Sequence, residues 1–191
     1  MDLELTGKVA IVTGGSRGIG KAVAHALARE GADVALISRD ITTGKQAAQE
    51  IAQNSGRRIA GYSADTSDDH AVKTAIAQIA GYFGRIDILV NAAAQPGGQS
   101  RPPKLAEITN EHFWADMNVK VMGYLRCARE ATPHMARGKS GRIINISGLA
   151  ARQTGSMIGT MRNISVAGLT KTLADELAPL GINVICVFIR E

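Results

Sequence analysis

The stretch KVAIVTGGSRGIGKAVAHALAREG, residues 8–31, decides the fold. It begins with a short apolar run that is typical of a buried strand, and it ends with a helical pattern. Between the two, Gly14, Gly18 and Gly20 are spaced as GxxxGxG. Glycines allow a tight backbone turn, and the free N–H groups at the start of the following helix attract a phosphate. We therefore predict a strand–turn–helix unit that binds a dinucleotide.

Apolar runs alternate with helical patterns along the rest of the chain. Strands are predicted at 8–13, 33–38, 57–64, 87–92, 142–147 and 182–188, and helices up to about 30 and at about 41–54, 68–83, 109–137 and 159–177. Strands that are apolar nearly throughout and alternate with helices indicate a parallel sheet buried on both faces. We predict a doubly wound parallel α/β sheet, a Rossmann fold, that forms one domain over residues 1–191. Ligands bind such sheets at the carboxyl ends of the strands.

The composition excludes several other classes of protein. Of the 191 residues, 45% are apolar and 20% are charged, which is typical of a globular domain. The net charge is +5, but the cations are scattered and only 4% of residues are aromatic, so we expect no nucleic-acid partner. No run is apolar for long enough to span a membrane.

The cysteine and histidine content indicates neither a disulfide nor a metal site. Cys127 and Cys186 form no CxxC motif, which favours free thiols in a reducing cytoplasm. The four histidines never stand four residues apart, so we expect no metal.

The end of the second predicted strand distinguishes between two cofactors. An acidic residue there binds the ribose hydroxyls of NAD, whereas an arginine accommodates the 2′-phosphate of NADP. This chain has Ser38 and Arg39 there, and Arg17 lies inside the glycine turn. The two arginines favour NADP(H) over NAD(H) because guanidinium groups bind phosphate bidentately. The alternatives are that both are solvated surface residues, or that the adjacent Asp40 binds a ribose.

Five segments together resemble the short-chain dehydrogenase/reductase family over essentially the whole chain. They are TGGSRGIG at 13–20, ADTSD at 64–68, LVNAAA at 89–94, GRIINIS at 141–147 and VAGLTKTLADELAPLGINV at 166–184. The resemblance implies an NADP(H)-dependent oxidoreductase that transfers a hydride to or from a small-molecule carbonyl or alcohol. It also implies a homodimer or homotetramer built from the helices at 109–137 and 159–178. The cofactor contacts that it implies are Gly14, Ser16, Arg17, Gly18, Ile19, Gly20, Ser38, Arg39, Asp65, Thr66, Asn91, Ala92, Ala93 and Asn163.

The chain departs from the family at its catalytic pair. Members carry a proton-donating Tyr and, four residues later, a Lys that lowers the tyrosine pKa. Alignment from VAGLTKTLA places these positions on Gly159 and Asn163, and no tyrosine follows Tyr124. We therefore expect a non-standard active site, in which Asn163 could still bond to the nicotinamide ribose. The alternative is a non-catalytic nucleotide-binding member that serves as a sensor, scaffold or oligomer partner.

Two further residues are candidates for a catalytic role. Asn118 lies four residues from both Trp114 and Met122, on a stripe that the helical spacing predicts to be buried. It either bonds to neighbouring backbone or, as in the family, supports an active-site lysine through water. Ser147 is followed by Gly148 where the family has two small residues, the second of them catalytic. Ser147 is thus either structural or in contact with the substrate.

The resemblance also predicts that an element is missing after the sixth strand. Family members continue with a turn that contacts the nicotinamide, a substrate-covering segment and another strand, whereas this chain ends in VFIRE. We therefore expect the C-terminal strand to be absent and residues 182–188 to form an exposed sheet edge.

Overall fold

The computed structural model describes residues 2–95 and 101–189, so most of the loop QPGGQSRPP (95–103) and the last two residues of the chain lie outside the described residues. The strands are β1 (Val9–Thr13), β2 (Asp33–Ser38), β3 (Ile59–Ser63), β4 (Ile88–Asn91), β5 (Gly141–Gly148) and β6 (Ile182–Ile189). The helices are α1 (Gly18–Arg29), α2 (Ile41–Ser55), α3 (Asp69–Phe83), α4 (Asn110–Met117), α5 (Gly123–Arg137) and α6 (Met157–Leu177). Every predicted strand and helix is present, with ends shifted by a few residues at most.

The six strands form one parallel sheet in the order β3-β2-β1-β4-β5-β6. The chain moves outward from β1 to β3, then crosses back to β4 and continues to β6. The strand order therefore reverses between β1 and β4, where Thr13 pairs with Asn91. Ligands of open α/β sheets bind in the crevice at this reversal. The predicted doubly wound fold is confirmed.

Apolar side chains cover both faces of the sheet. Alternate residues of β1 point to opposite faces, so that Val9 and Ile11 join one cluster while Ala10 and Val12 join the other. The first cluster packs against α3, α5 and α6, and the second packs against α1 and α2. With both faces covered, the carboxyl ends of the strands are left to form a site.

The long helix predicted at 109–137 is interrupted by a π-helical segment, Asn118–Met122, between α4 and α5. Hydrogen bonds from the side chains of Arg126 and Thr66 hold this segment. Arg126 Nη1 donates to the Thr66 carbonyl oxygen at 3.1 Å and to the Asn118 carbonyl oxygen at 3.2 Å. Thr66 Oγ1 donates to the Val119 carbonyl oxygen at 2.9 Å. A π-helical turn contains more residues than an α-helical turn. Side chains spaced four residues apart across the segment therefore no longer lie on the same side of the helix.

Because of the π-helical segment, the prediction that Trp114, Asn118 and Met122 share one buried stripe is wrong. Trp114 is 63% exposed and Met122 is 41% exposed, and Asn118 is only half-buried. The residue turned inward is Lys120, which is 4% exposed. The spacing of four residues assumed a regular α-helix, which does not hold across this segment.

β6 lies at the edge of the sheet and pairs with β5 within the described part of the chain. Ile185 is 52% exposed and Val187 is 37% exposed. Within the described residues, β6 is therefore an edge strand of the sheet, and its exposure in the absence of a covering oligomer stays a prediction.

Replacing Tyr124 by Phe should lower the free energy of unfolding by about 1–2 kcal/mol, because a buried acceptor loses its donor. Tyr124 is 1% exposed, and its hydroxyl donates to the Ile146 carbonyl oxygen at 3.0 Å. Urea denaturation followed by circular dichroism measures the change. Tyr82→Phe is the matched control, since Tyr82 is 61% exposed, and we expect it to change stability by less than about 0.5 kcal/mol. Equal effects of the two substitutions would contradict the importance of this bond.

Candidate functional site

A cleft of about 650 Å³ opens at the carboxyl ends of β1, β2, β3 and β4. Its walls combine the glycine turn after β1 with the segments that follow β2, β3 and β4. The predicted cofactor contacts that line it are Gly14, Ser16, Arg17, Gly18, Ile19, Gly20, Ser38, Arg39, Asp65, Thr66, Ala92 and Ala93. The structure therefore brings together all of the predicted cofactor residues except Asn91 and Asn163.

The glycine turn has the geometry that a pyrophosphate requires. Gly14 has φ +68°, which disfavours any residue with a side chain. A Cβ on Gly20 would lie 2.3 Å from the Gly14 carbonyl oxygen, so α1 can begin against the turn only with glycine there. No side chain caps the start of α1 at Arg17, so its first N–H groups are available to a ligand. The turn thus fits the phosphates of a dinucleotide.

Thr13 holds the two central strands together at the bottom of the cleft. Its Oγ1 accepts hydrogen bonds from Ala92 N at 3.0 Å and from Ala93 N at 3.1 Å. Thr13 is fully buried, so these bonds are protected from water. The sequence pattern alone does not predict this role, although Thr13 is the polar residue that ends the first predicted strand.

Charged and polar groups surround the β2 end of the cleft. Arg17 and Arg39 are both exposed on its wall. Asp40 also lines the cleft, but its Oδ1 accepts a hydrogen bond from Thr42 N at 2.8 Å and caps α2. Ser38 Oγ donates to the Asp40 carbonyl oxygen at 2.8 Å. The cap gives Asp40 a structural role, so that Arg17 and Arg39 are the exposed charges at this end whose side chains do not cap a helix.

Asp65 provides a fixed negative charge on the same wall. Its Oδ1 accepts from Ser67 N at 2.8 Å and from Ser67 Oγ at 2.7 Å. Partial burial alone would raise the pKa of Asp65, but these two bonds and the nearby Arg39 and Arg126 outweigh it and leave the pKa below its usual value. Asp65 is therefore an oriented acceptor at neutral pH.

Asn91 does not line the cleft, contrary to expectation. It is fully buried, and its Nδ2 donates to Asn145 Oδ1 at 2.9 Å. Asn145 Nδ2 in turn donates to Thr170 Oγ1 at 3.0 Å. The side chain of Asn91 thus connects β4 to β5 and, through β5, to α6. A buried amide needs such partners. The Nδ2 group of Asn91 has one, whereas its Oδ1 has no hydrogen-bond partner among the described residues.

The two candidate catalytic residues both have structural partners. Asn118 Nδ2 donates to the Ser67 carbonyl oxygen at 3.4 Å, which is the backbone role considered above. Ser147 is fully buried, and its Oγ donates to the Asn163 carbonyl oxygen at 3.1 Å. Ser147 therefore has no surface to present to a substrate in this structure, and contact with the substrate is not supported.

The position aligned with the family tyrosine lies near the start of α6. Gly159 N donates to Ser156 Oγ at 3.0 Å, and Ser156 is the N-cap of the helix. A Cβ on Gly159 would lie 2.5 Å from Ser156 Oγ and 4.0 Å from Arg162 Nη2. A guanidinium group thus occupies the neighbourhood in which a side chain at position 159 would begin.

The guanidinium group of Arg162 is held in place by a carboxylate from α4. Arg162 is 8% exposed, and its Nη1 donates to Asp116 Oδ1 at 2.7 Å and to Oδ2 at 3.0 Å. Its Nε is buried and has no partner among the described residues. The pair connects α4 to α6. No sequence pattern marked it, because the partners lie 46 residues apart.

The position aligned with the family lysine, Asn163, is 2% exposed and does not line the cleft. Its Oδ1 accepts from Gly148 N at 3.1 Å and from Lys120 Nζ at 3.0 Å. Asn163 therefore lies outside the cleft, with its carbonyl oxygen already accepting from two donors, and its predicted contact with a cofactor stays a prediction. No local sequence pattern indicated the lysine, which reaches Asn163 from the π-helical segment.

Tyr124 does not replace the missing proton donor. Its hydroxyl donates to the Ile146 carbonyl oxygen, and burial raises the pKa of Tyr124 well above its usual value. A phenol of this kind keeps its proton at neutral pH and has no open surface from which to exchange it.

The described residues contain neither a metal-binding cluster nor a membrane-spanning helix. No three His, Cys, Asp or Glu side chains of residues 2–95 and 101–189 lie close enough together to hold a metal ion. Within the same ranges, no helix combines the length and the apolar character needed to cross a membrane. Cys127 and Cys186 are free thiols, and burial raises the pKa of Cys127 to about 12.

Comparison with known proteins identifies the class to which this fold and cleft belong. The family model described as short chain dehydrogenase matches residues 8–189. The chain is a member of the short-chain dehydrogenase family, and its relatives are oxidoreductases that act on alcohol or carbonyl groups. It is 37% identical over 177 residues to the short-chain reductase protein NovJ of Streptomyces niveus, a match that covers 92% of this chain and 66% of NovJ.

Two solved structures show how the fold is used elsewhere. L-sorbose reductase from Gluconobacter frateurii, complexed with NADPH and L-sorbose, is 30% identical with a TM-score of 0.87 over 97% of this chain and 70% of its own. NAD⁺-bound xylitol dehydrogenase is 25% identical with a TM-score of 0.90 over 98% of this chain and 71% of its own. The fold thus accompanies either nicotinamide cofactor, and this chain spans about two thirds of the length of NovJ.

Replacing Asp116 by Asn should destabilise the protein by roughly 3 kcal/mol, because it leaves the Arg162 charge buried without its partner. The double variant Asp116→Leu with Arg162→Met removes both charges, and we expect it to be more stable than the single variant. Chemical denaturation measures both changes. Asp175→Asn is the control, since Asp175 is an exposed residue of α6. A double variant less stable than Asp116→Asn would contradict this account of the pair.

Proposed function

We propose that this protein is an NADP(H)-dependent oxidoreductase that transfers a hydride between the cofactor and a small-molecule carbonyl or alcohol. The observation that carries the proposal is the cleft at the strand reversal, which is lined by the glycine turn after β1, with Arg17 exposed in it, and by the exposed Arg39 after β2. The turn suits a pyrophosphate, and the arginines suit one further phosphate. Membership of the short-chain dehydrogenase family supports the reaction class.

The preference for NADP(H) over NAD(H) rests on the charges at the β2 end. Arg17 and Arg39 approach the cleft from two different segments and can meet a 2′-phosphate from both sides. Asp40, the nearest competing carboxylate, caps α2. An uncapped carboxylate would instead favour the ribose hydroxyls of NAD.

The reaction chemistry divides between the cofactor and the chain. A nicotinamide cofactor, when bound, supplies or accepts the hydride. The glycine turn and Thr13 shape the floor on which the ligand rests, and Asp65, Arg17 and Arg39 orient its adenosine end. The proton of the alcohol comes from water, because Gly159 provides no acid and Tyr124 is buried. General acid help contributes typically about 10²–10⁴ in rate, so we expect slow turnover compared with relatives that have the tyrosine.

We further propose a homodimer or homotetramer in the cytoplasm. Large apolar side chains are exposed on the helices that the resemblance assigns to assembly. They are Trp114, Met122, Met157, Met161 and Ile164. An assembly would cover this surface, and light scattering would measure its mass. The two free thiols fit a reducing compartment.

Two measurements test the reaction. Titration with NADPH, followed by its fluorescence, should show saturable binding, and oxidation of NADPH should follow addition of a carbonyl from a panel of ketones and aldehydes. Tight NADPH binding without turnover of any carbonyl or alcohol would overturn the enzymatic proposal and favour the non-catalytic alternative. Absence of binding would overturn both.

Replacing Arg39 by Ala should weaken NADPH binding by about 10- to 100-fold and leave NADH binding nearly unchanged, because only NADPH carries the 2′-phosphate. Arg17→Ala should act in the same direction. Fluorescence titration of each variant with both cofactors measures the effect. The control is Arg29→Ala, an exposed arginine at the end of α1 that does not line the cleft. An equal loss of NADH and NADPH binding would contradict the proposed 2′-phosphate contact.

A further inference from the structure

The side chain of Lys120 extends its ammonium group into the protein interior, close to the cleft. The side chain is 4% exposed, and lysine is rarely buried to this extent without partners. Its Nζ donates to Asn163 Oδ1 at 3.0 Å. The π-helical segment is what turns this residue inward, and such segments occur often at functional sites.

The surroundings of Lys120 locate the charge at the carboxyl end of β5. Asn163 Oδ1, which holds the ammonium group, also accepts from Gly148 N at 3.1 Å, and Gly148 ends β5. The charge of Lys120 is also felt on β6, where it acts to lower the pKa of Cys186 against the larger opposing effect of burial. The neighbour in sequence, Val119, lines the cleft itself.

The groups at the strand ends determine the orientation in which the proposed dinucleotide would lie in the cleft. Arg39, which suits the 2′-phosphate, stands just after β2. The glycine turn that suits the pyrophosphate, and that carries Arg17, follows β1. A dinucleotide that runs across the strand ends then places its nicotinamide beyond β4, towards β5. Lys120 is a buried cation at that end. Arg162, on the helix that carries Asn163, is a second buried cation and is paired with Asp116.

We propose that Lys120 is a positioning residue that sets the relative affinity of this site for the reduced and oxidised cofactor. The inference rests on the proposed function. The nicotinamide ring is neutral in NADPH and positively charged in NADP⁺, whereas the phosphates of the two forms carry the same charge. A fixed cation near the ring therefore disfavours NADP⁺ relative to NADPH, and the site is biased towards the reduced cofactor.

Because Asn163 is neutral, the interior around Lys120 does not hold a second ammonium group. A lysine at position 163 would place a second ammonium group next to Lys120, and like charges this close repel each other. The neutral amide accepts the hydrogen bond instead. The family places one cation here on α6, and this chain brings one in from the neighbouring π-helical segment.

The test compares the dissociation constants of NADP⁺ and NADPH, measured by calorimetry and fluorescence on the full chain. In Lys120→Met the preference for NADPH should fall by roughly 3- to 10-fold, because the cation is removed. Asn163→Asp should shift the ratio in the same direction without changing the shape of the site, since a carboxylate there offsets the charge of Lys120. The double variant Lys120→Met with Asn163→Lys returns a cation from α6 and should recover most of the parent ratio.

The controls separate this role from a structural one. Lys171→Met removes an exposed charge from α6 and should leave the ratio unchanged. Adenosine 2′,5′-bisphosphate, which lacks the nicotinamide half, should bind the parent and Lys120→Met equally. Equal weakening of NADP⁺ and NADPH in Lys120→Met and Asn163→Asp, or an unchanged ratio in both, would overturn the inference alone. Failure of the parent to bind either cofactor would overturn the proposed function and this inference together.

Discussion

The approach of α1 to the turn after β1 is the constraint on which the rest of the cleft depends. The space that a side chain on residue 20 would need is already filled by the Gly14 carbonyl oxygen, at 2.3 Å from the Cβ position. Any larger residue would push the helix away from the sheet and withdraw its first N–H groups from the strand ends. Because β1 is also the central strand of the reversal, this single contact sets where a phosphate can rest and which strands flank it.

A second constraint is a series of buried polar groups on the other side of the reversal. Side-chain hydrogen bonds link Asn91 of β4 to Asn145 of β5, and Asn145 to Thr170 of α6. Ser147 and Asn163 bond the end of β5 to the same helix. These bonds satisfy polar groups that would be costly to bury alone, with the exception of Asn91 Oδ1, which has no partner among the described residues. As a consequence, Asn91, Ser147 and Asn163, which were expected to contact a ligand, use their side chains to hold α6 against the sheet.

The features that could be predicted from the sequence are those that depend on residues close together in the chain. Apolar runs and helical spacing predicted all six strands and the main helices, although not the break between α4 and α5 or the short 3₁₀ helices. The glycine turn and Arg39 predicted most of the cleft wall. The failures lie where the outcome depends on distant partners. Nothing near Asn118 in sequence indicates that Arg126 and Thr66 stabilise a π-helical segment there, and the inward turn of Lys120 follows from that segment. The Arg162–Asp116 pair and the burial of Asn91 likewise depend on residues far away in the chain.

The exposed position of Trp114 has a practical consequence. It is the only tryptophan of the chain, it is 63% exposed, and its ring packs edge-on against Phe113 with 5.1 Å between centroids. Indole emission moves to shorter wavelength when water is removed from around the ring. The intrinsic fluorescence of this protein therefore reports on one surface alone, the outer face of α4, and does so without any added label.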